Sequence, residues 1–284
     1  MGAVKRLIVA TDLSARSDRA VERAVALAAE AQAALTVVHV VDAQLPGRIV
    51  ERQLEDAQAV ISDHLASLPD SAKVSTEIAV LLGTDAEDII RRAEETDADL
   101  VIVGVHRNEP SRRLFTGTTA ERVIRKGTRP VLMVKDRVQG PYRRVMMGID
   151  FSVCSRRALG FALKLLPLAG FQLVHAYEVP FKGFLTGSDT QRMVARKHEG
   201  EMELLVKEEL GALLSSVATP PSCETVLREG PVRKVLQEQM ERLKPDLLVV
   251  GTHGRTGVAG ALLGSVAQDL LGDPPCDVLA VKAW

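Results

Sequence analysis

The stretch "LIVATDLSARSDRAVERAVALA" (7–28) returns as "VMMGIDFSVCSRRALGFALKLL" (145–166), and three further pairs follow in the same order. "LTVVHVVD" (35–42) matches "FQLVHAYE" (171–178), "ADLVIVG" (98–104) matches "PDLLVVG" (245–251), and "VLMVK" (131–135) matches "VLAVK" (278–282). The pairing sets Asp12 on Asp150 and His39 on His175. A chain that contains itself twice, at a period of about 140 residues, is expected to fold as two similar lobes of ordinary domain size. The expected lobes are 1–138 and 142–284, joined near "DRVQGPYRR" (136–144), where Gly140 and Pro141 interrupt the pattern. The second copy is longer after its second strand, around "VPFKGFLTGSDTQRM".

Within each copy, short apolar runs alternate with segments of helical spacing. Leu7–Ala10, Leu35–Val41, Leu100–Val103 and Val131–Val134 show no polar alternation. Strands buried on both faces of a parallel sheet read this way. Between them, Ala20, Ala24, Leu27 and Ala31 recur every three or four residues, as do Leu54, Ala57, Ile61, Leu65 and Leu68. Each set makes one apolar stripe for packing on a sheet. Parallel strands need crossover helices, so the alternation implies an α/β fold with helices on both faces of the sheet. Thr84 with Glu87, Thr118 with Glu121 and Ser265 with Gln268 have the spacing of capping boxes. Gly127 and Gly272 are expected to end the fourth helix of each lobe. "VLMVK" and "VLAVK" would each be an apolar sheet edge if left alone, which favours their pairing with each other.

Composition removes several classes of function. The chain of 284 residues is 46% hydrophobic but only 3% aromatic, so its core is aliphatic. The formal net charge of -1 creates no field that would recruit nucleic acid or an anionic membrane. The basic run "RRLFTGTTAERVIRKGTR" lacks the aromatic residues that stack on single strands. No apolar run approaches the roughly 20 residues of a membrane span, and the first apolar run is too short for a secretory leader. Cys154, Cys223 and Cys276 have no CxxC spacing and cannot all pair, which suggests a reduced, cytoplasmic setting.

The candidate site lies where "LLVVGTHGRTGVAGALLGSVAQDLL" (247–271) runs from a buried strand through spaced glycines into a helix. Ligands of open parallel sheets sit beyond the carboxyl ends of the strands, where the strand order reverses. Asp150 ends the first strand of the second copy and Gly251 ends the fourth. Gly251 and Gly254 lack side chains, so a ligand can approach their backbone. Gly264 and Ser265 open a helix whose free N–H groups and dipole favour an anion. Neither GxxxxGK[ST] nor GxGxxG after the first strand is present. The chemistry is therefore phosphate binding without a lysine clamp.

The order Gly251-x2-Gly254-x9-Gly264-Ser265, together with Asp150, His175 and Gly230-Pro231, resembles the ATP-binding signature of the universal stress protein family, and the resemblance covers the whole chain as a tandem pair. It implies two Rossmann-like lobes of the adenine nucleotide alpha hydrolase type. Each would have a five-stranded parallel sheet of order 3-2-1-4-5. It further implies ATP, carried with Mg2+, held by Asp150, Ala176, Val250, Gly251, Gly254, Gly264, Ser265 and Val266, with Ala176 meeting adenine through its backbone. Family pairs associate through their fifth strands, so an internal pseudo-twofold is expected here, and further assembly into a homodimer with it. In the first lobe Asp12, Val40, Gly104, Gly117 and Thr118 hold the corresponding positions, but Arg107 replaces the second glycine, and the loop "NEPSRRLFT" differs from its counterpart. Either that lobe binds no nucleotide, or Arg107, Arg112 and Arg113 hold a different anion by bidentate contacts.

Other residues have plainer readings. His39 and His175 lie inside apolar strands and read as core histidines with one ring nitrogen satisfied. His253 reads as a solvated loop residue. Cys154 follows Asp150 closely, but nothing around it in sequence lowers a thiol pKa. No nucleophile–base pair or metal-ligand cluster is evident, nor is a glutamine placed to orient a water. HxGH and SGGxDS, motifs of nucleotide-dependent transferases, do not occur. The sequence therefore indicates an ATP-binding regulatory or stress-response protein with at most slow hydrolysis, acting on a protein partner it does not identify. The alternative is an interaction module in which the glycines serve packing alone.

Overall fold

The computed structural model describes residues 3–105, 118–178, 189–215, 223–252 and 263–282. The first half runs β1 (Arg6–Ala10), α1 (Ala15–Ala31), β2 (Ala34–Asp42), α2 (Gly47–Ser67), β3 (Thr76–Gly83), α3 (Asp85–Glu95), β4 (Leu100–Gly104), α4 (Thr119–Lys126) and β5 (Val131–Val134). The second half repeats the order as β6 (Arg144–Gly148), α5 (Val153–Leu165), β7 (Gly170–Tyr177), α6 (Asp189–Ser215), β8 (Cys223–Glu229), α7 (Val232–Leu243), β9 (Leu247–Gly251), α8 (Ser265–Gly272) and β10 (Asp277–Val281).

The ten strands form one sheet in the order β3-β2-β1-β4-β5-β10-β9-β6-β7-β8. Each half is thus a parallel sheet of order 3-2-1-4-5, and the halves meet edge to edge. β5 and β10 pair antiparallel, with Leu279 opposite Leu132, and every other pairing is parallel. This join is the expected pairing of fifth strands. It removes two apolar edges that would otherwise invite association with another chain. The strands are apolar at consecutive positions because helices cover both faces. Leu7, Val9, Leu132 and Leu279 point into one core and Ile8, Val101, Met133 and Val278 into the other. Ala20, Ala24 and Leu27 bury the stripe of α1, and Ala57, Ile61 and Leu65 that of α2. Among the described residues, no helix is long and apolar enough to cross a membrane.

Contacts from one lobe to the other lock the join. Lys135, just past β5, donates to the Pro274 carbonyl at 2.6 Å, beyond the C-terminus of α8. Lys282, just past β10, donates to the Gly127 carbonyl at 3.1 Å, at the C-terminus of α4. Each cation thus serves the exposed carbonyls at the end of the other lobe's fourth helix. A second, asymmetric cluster was not foreseen. The buried Asp277 carboxylate accepts bonds from Lys135 N at 2.8 Å, Asp136 N at 3.0 Å and the Tyr142 hydroxyl at 2.5 Å. Arg23 of α1 lies 3.8 Å from the same carboxylate, with its guanidinium 4.0 Å from the Tyr142 ring centroid. Arg23 also donates to the Gly140 carbonyl at 2.8 Å. Gly140 has φ +115°, a conformation L side chains rarely adopt, and so the junction turns there. Burial, and then the nearby Asp277 charge, hold the Tyr142 phenol well above its usual pKa, so it remains a donor.

Candidate functional site

Asp150 follows β6 at the carboxyl end of the sheet, in the turn that leads to α5. Its Oδ1 accepts from Ser152 N at 3.0 Å and from the Ser155 hydroxyl, while Asp150 N donates to Ser155 Oγ at 3.2 Å. Ser152 caps α5 through Ser155 N at 3.1 Å. This turn forces Phe151 to φ 59°, and its counterpart Leu13 after β1 has φ 61°. A left-handed conformation costs a residue with a side chain about 1–2 kcal/mol. Both lobes keep it at the same step of the repeat, where it brings the aspartate to the sheet's end. Among the described residues, Asp150 Oδ2 has no hydrogen-bond partner.

His175 Nδ1 lies 2.6 Å from the Ile149 carbonyl and His39 Nδ1 2.9 Å from that of Thr11. Each histidine therefore has the expected satisfied ring nitrogen and ties the second strand of its lobe to the end of the first, but neither is a core residue: both are half-buried, and each lines the cavity at its own lobe's strand ends. The His175 ring also packs at 4.6 Å on Phe151. Cys154 is buried behind the same turn, and burial pushes the Cys276 thiol up to about 12.

The fourth strand closes the site. The Cβ that Gly251 lacks would stand 2.9 Å from Cys154 Cβ, and 3.2 and 3.3 Å from the Cys154 carbonyl carbon and Ser155 N. The sequence had assigned this glycine to ligand approach. The structure shows the first turn of α5 occupying that space, so Gly251 is needed for helix–strand packing. Gly104 has the same role in the first lobe, its missing Cβ 3.1 Å from the Arg16 carbonyl. Beyond β9, Thr252 N donates to Val281 O at 3.0 Å, and Gly264 N returns to Thr252 O at 2.9 Å. That bond brings the start of α8 back to the strand end.

The helix start also departs from expectation. Gly264, with extended φ -60° and ψ 148°, is the N-cap of α8, and Ser265 is the first helical residue. The expected Ser265–Gln268 capping box is therefore not formed. Ser265 makes no side-chain cap, and its hydroxyl has no partner among the described residues. The Thr118–Glu121 box of α4 is present in both directions. At α3 the expected Thr84–Glu87 box is not formed either: Thr84 is the N-cap but its side chain caps nothing, and Thr84 N donates to Asp88 Oδ2 at 2.6 Å.

A cavity of about 280 Å3 opens between these elements. It gathers Asp150, Ala176, Val250, Gly251, Gly264, Ser265 and Val266, which the sequence had separated by as many as 116 residues. Gly254 and His253 lie outside the described residues. The cavity also takes in Ile149, Ser155, Val232, Leu236 and Thr252, which sequence reasoning missed. Val232 and Leu236 are apolar at helical spacing and gave no signal beyond that of a core-facing stripe. Gly230, with φ +139°, turns β8 into α7 and so sets these two side chains over the cavity. At one end the walls are aliphatic. At the other they present an uncapped helix N-terminus, the Ser265 hydroxyl and one carboxylate.

The first lobe has a smaller counterpart of about 90 Å3. Asp12, Val40 and Gly104 line it, as does Thr119, while Thr118 is engaged as the cap of α4. Asp85 also lines it, where the second lobe has Val232, so two carboxylates face this space. Gly117, Arg107, Arg112 and Arg113 lie outside the described residues.

Comparison with known proteins decides the lineage of this architecture. The universal stress protein family matches residues 3–135 and again residues 141–282. The chain belongs to the universal stress protein family. A universal stress protein of Mycobacterium tuberculosis is 26% identical over 283 residues, covering 93% of this chain and 92% of the relative. One of Methanocaldococcus jannaschii is 30% identical over 149 residues, covering 50% of this chain and 82% of its own length. The crystal structure of a universal stress protein from Archaeoglobus fulgidus superposes with a TM-score of 0.72 at 18% identity, covering 98% of both chains, a likeness of fold. The present protein is thus a tandem universal stress protein with two unequal cavities.

Proposed function

We propose that this tandem universal stress protein is a cytoplasmic regulatory protein that holds one ATP per chain in its second lobe, spanning 142–284, while the first, spanning 1–138, contributes structure. The observation that carries this reading is the 280 Å3 cavity, which joins aliphatic walls to the uncapped start of α8. Its volume is near the lower end of the roughly 300–1,000 Å3 of small-molecule sites. Adenine and ribose would lie between Ala176, Val232, Leu236 and Val250. The phosphates would extend toward Gly264 and Ser265, where free N–H groups and the helix dipole favour negative charge. Among the described residues, Asp150 is the one carboxylate on the cavity wall. Mg2+ is commonly held by one or two carboxylates plus substrate phosphates, so Asp150 fits that cation as a single protein ligand. Such an ion would neutralise phosphate charge. Asp85, a second carboxylate beside the Asp12 that matches Asp150, makes the first cavity less suited to an anion, and that cavity is also smaller. We read the output as binding to a protein partner, with at most slow hydrolysis, and a homodimer as an accessible assembly.

One observation favours the second reading, an interaction module without nucleotide: Gly251 is explained by packing alone. Gly254 separates the two. On the nucleotide reading, Gly254→Arg copies the first lobe's Arg107 into the second. It should lower ATP affinity at least tenfold, about 1.4 kcal/mol, with an unchanged circular dichroism spectrum. Arg107→Gly should not create a second site by itself, because the rest of the loop still differs. Unchanged ATP affinity in Gly254→Arg would remove the glycine loop from the mechanism and leave the packing explanation.

A further inference from the structure

Among the described residues, those that line the second cavity include no lysine or arginine, so a described cation that meets a bound triphosphate must reach it from the rim. Arg233 is placed to do so. It follows Val232, a wall residue, in the first turn of α7. A cation in a helix's first turn opposes the dipole of its own helix. The position therefore costs local helix stability and calls for a compensating interaction.

The guanidinium crosses to α8 and pairs with Asp269 through Nη2 and Oδ2. Asp269 follows Ser265 by four residues, one helical turn or about 6 Å along the axis. Side chains on a helix lean toward its N-terminus, so the pair sits beside the end of α8 that faces the cavity. The first lobe has the opposite polarity. Positions 86 and 122, matching 233 and 269, are Ala86, fully buried, and Arg122. Asp85, Glu87 and Asp88 occupy the first turn of α3. Glu87 there pairs with Lys126 at 2.8 Å and Arg122 at 3.6 Å on α4. Asp85 lines the small cavity, whereas Arg233 stands next to a wall residue of the large one.

We propose that Arg233 is the counter-charge for the terminal phosphates of the bound nucleotide, and that its ion pair with Asp269 is the resting position it leaves when a triphosphate arrives. This rests on the nucleotide reading above. Asp269 acts as a competitor for the same guanidinium. It favours release of ligands with fewer phosphates, because these cannot draw the arginine away. The pair thereby sets discrimination among ATP, ADP and adenosine rather than affinity for adenine.

The test is calorimetric titration of the full chain with Mg-ATP, Mg-ADP and adenosine, for the wild type, Arg233→Gln and Asp269→Asn. Arg233 and Asp269 are both solvent-exposed, and circular dichroism checks that the variants fold. Arg233→Gln should weaken ATP about tenfold, as expected for loss of a charge-assisted bond, and change adenosine less than twofold. Asp269→Asn should tighten ATP about threefold, within the range of exposed ion pairs. The salt dependence of ATP binding should be shallower in Arg233→Gln than in the wild type. An unchanged ratio of ATP to adenosine affinity in Arg233→Gln, with the wild type still binding ATP, would overturn the counter-charge and leave the nucleotide reading intact. Equal losses for ATP and adenosine would overturn it too, by showing a packing role. Absence of ATP binding in the wild type would overturn both.

Discussion

Asp277→Ala should lower the stability of the chain by about 3–5 kcal/mol, the usual cost of removing one partner from a buried ion pair. The carboxylate receives two backbone N–H groups and the Tyr142 hydroxyl, and it is the counter-charge of the buried Arg23. Deleting it leaves Arg23 with its bond to the Gly140 carbonyl and its contact with the Tyr142 ring. Urea unfolding monitored by circular dichroism would show the loss as a lower midpoint. Asp277→Asn keeps the shape and an acceptor and should be milder. If Asp277→Ala unfolds at the wild-type midpoint, the cluster does not hold the junction, and the pairing of β5 with β10 carries it alone.

Gly251→Val is expected to cost about 1–3 kcal/mol, the range for overpacking a filled interior. The clash is with the Cβ and backbone of Cys154 at the start of α5, which cannot retreat as the tip of a flexible side chain can. Because the same turn presents Asp150, ATP binding should fall with stability. Gly148→Ala provides the contrast. It lines the same cavity, but its added Cβ would meet only Leu236 methyl groups at 3.5 and 3.8 Å. That variant should unfold close to the wild-type midpoint. Equal stability of Gly251→Val and Gly148→Ala would contradict the packing role of Gly251.

What could be read from the sequence, and what could not, follows from which interactions repeat. The strands were legible because burial on both faces leaves four consecutive apolar residues, as in Leu100–Val103 and Leu247–Val250. The join between lobes was legible because two such strands ended the two copies. The Asp277 cluster was not. Its counterpart in the first copy is Pro130, so the repeat that revealed the fold gave no hint of an unpaired feature. Asp150 and its neighbours could be placed at one crevice, since they lie at strand ends in a doubly wound sheet. Gly251 lines the cavity, but the packing it also serves was not legible, because a missing side chain looks the same in sequence whether a ligand or a helix fills the space. Ser265 was misread as a cap because it has the right spacing to Gln268. The extended backbone of Gly264 shifts the cap one residue earlier and leaves the serine hydroxyl unused by α8.

Inversion of charge between the lobes was visible residue by residue but had no meaning until α3 and α4, and α7 and α8, were known to be neighbours. Once they are, Asp85 and Val232 stand at one position of the repeat, charged in one lobe and apolar in the other. The unequal cavities, about 90 and 280 Å3, make the tandem protein asymmetric at its strand ends although it is near-symmetric in fold, and the proposal of one ATP per chain rests on that asymmetry.

The most direct test of the asymmetry is the stoichiometry of Mg-ATP binding to the intact chain by calorimetry. One ATP per chain is the expected result, abolished or strongly weakened by Asp150→Ala and insensitive to Asp12→Ala. Two ATP per chain, a single site that responds to Asp12 rather than Asp150, or no binding at millimolar nucleotide would contradict the assignment of the site to the second lobe.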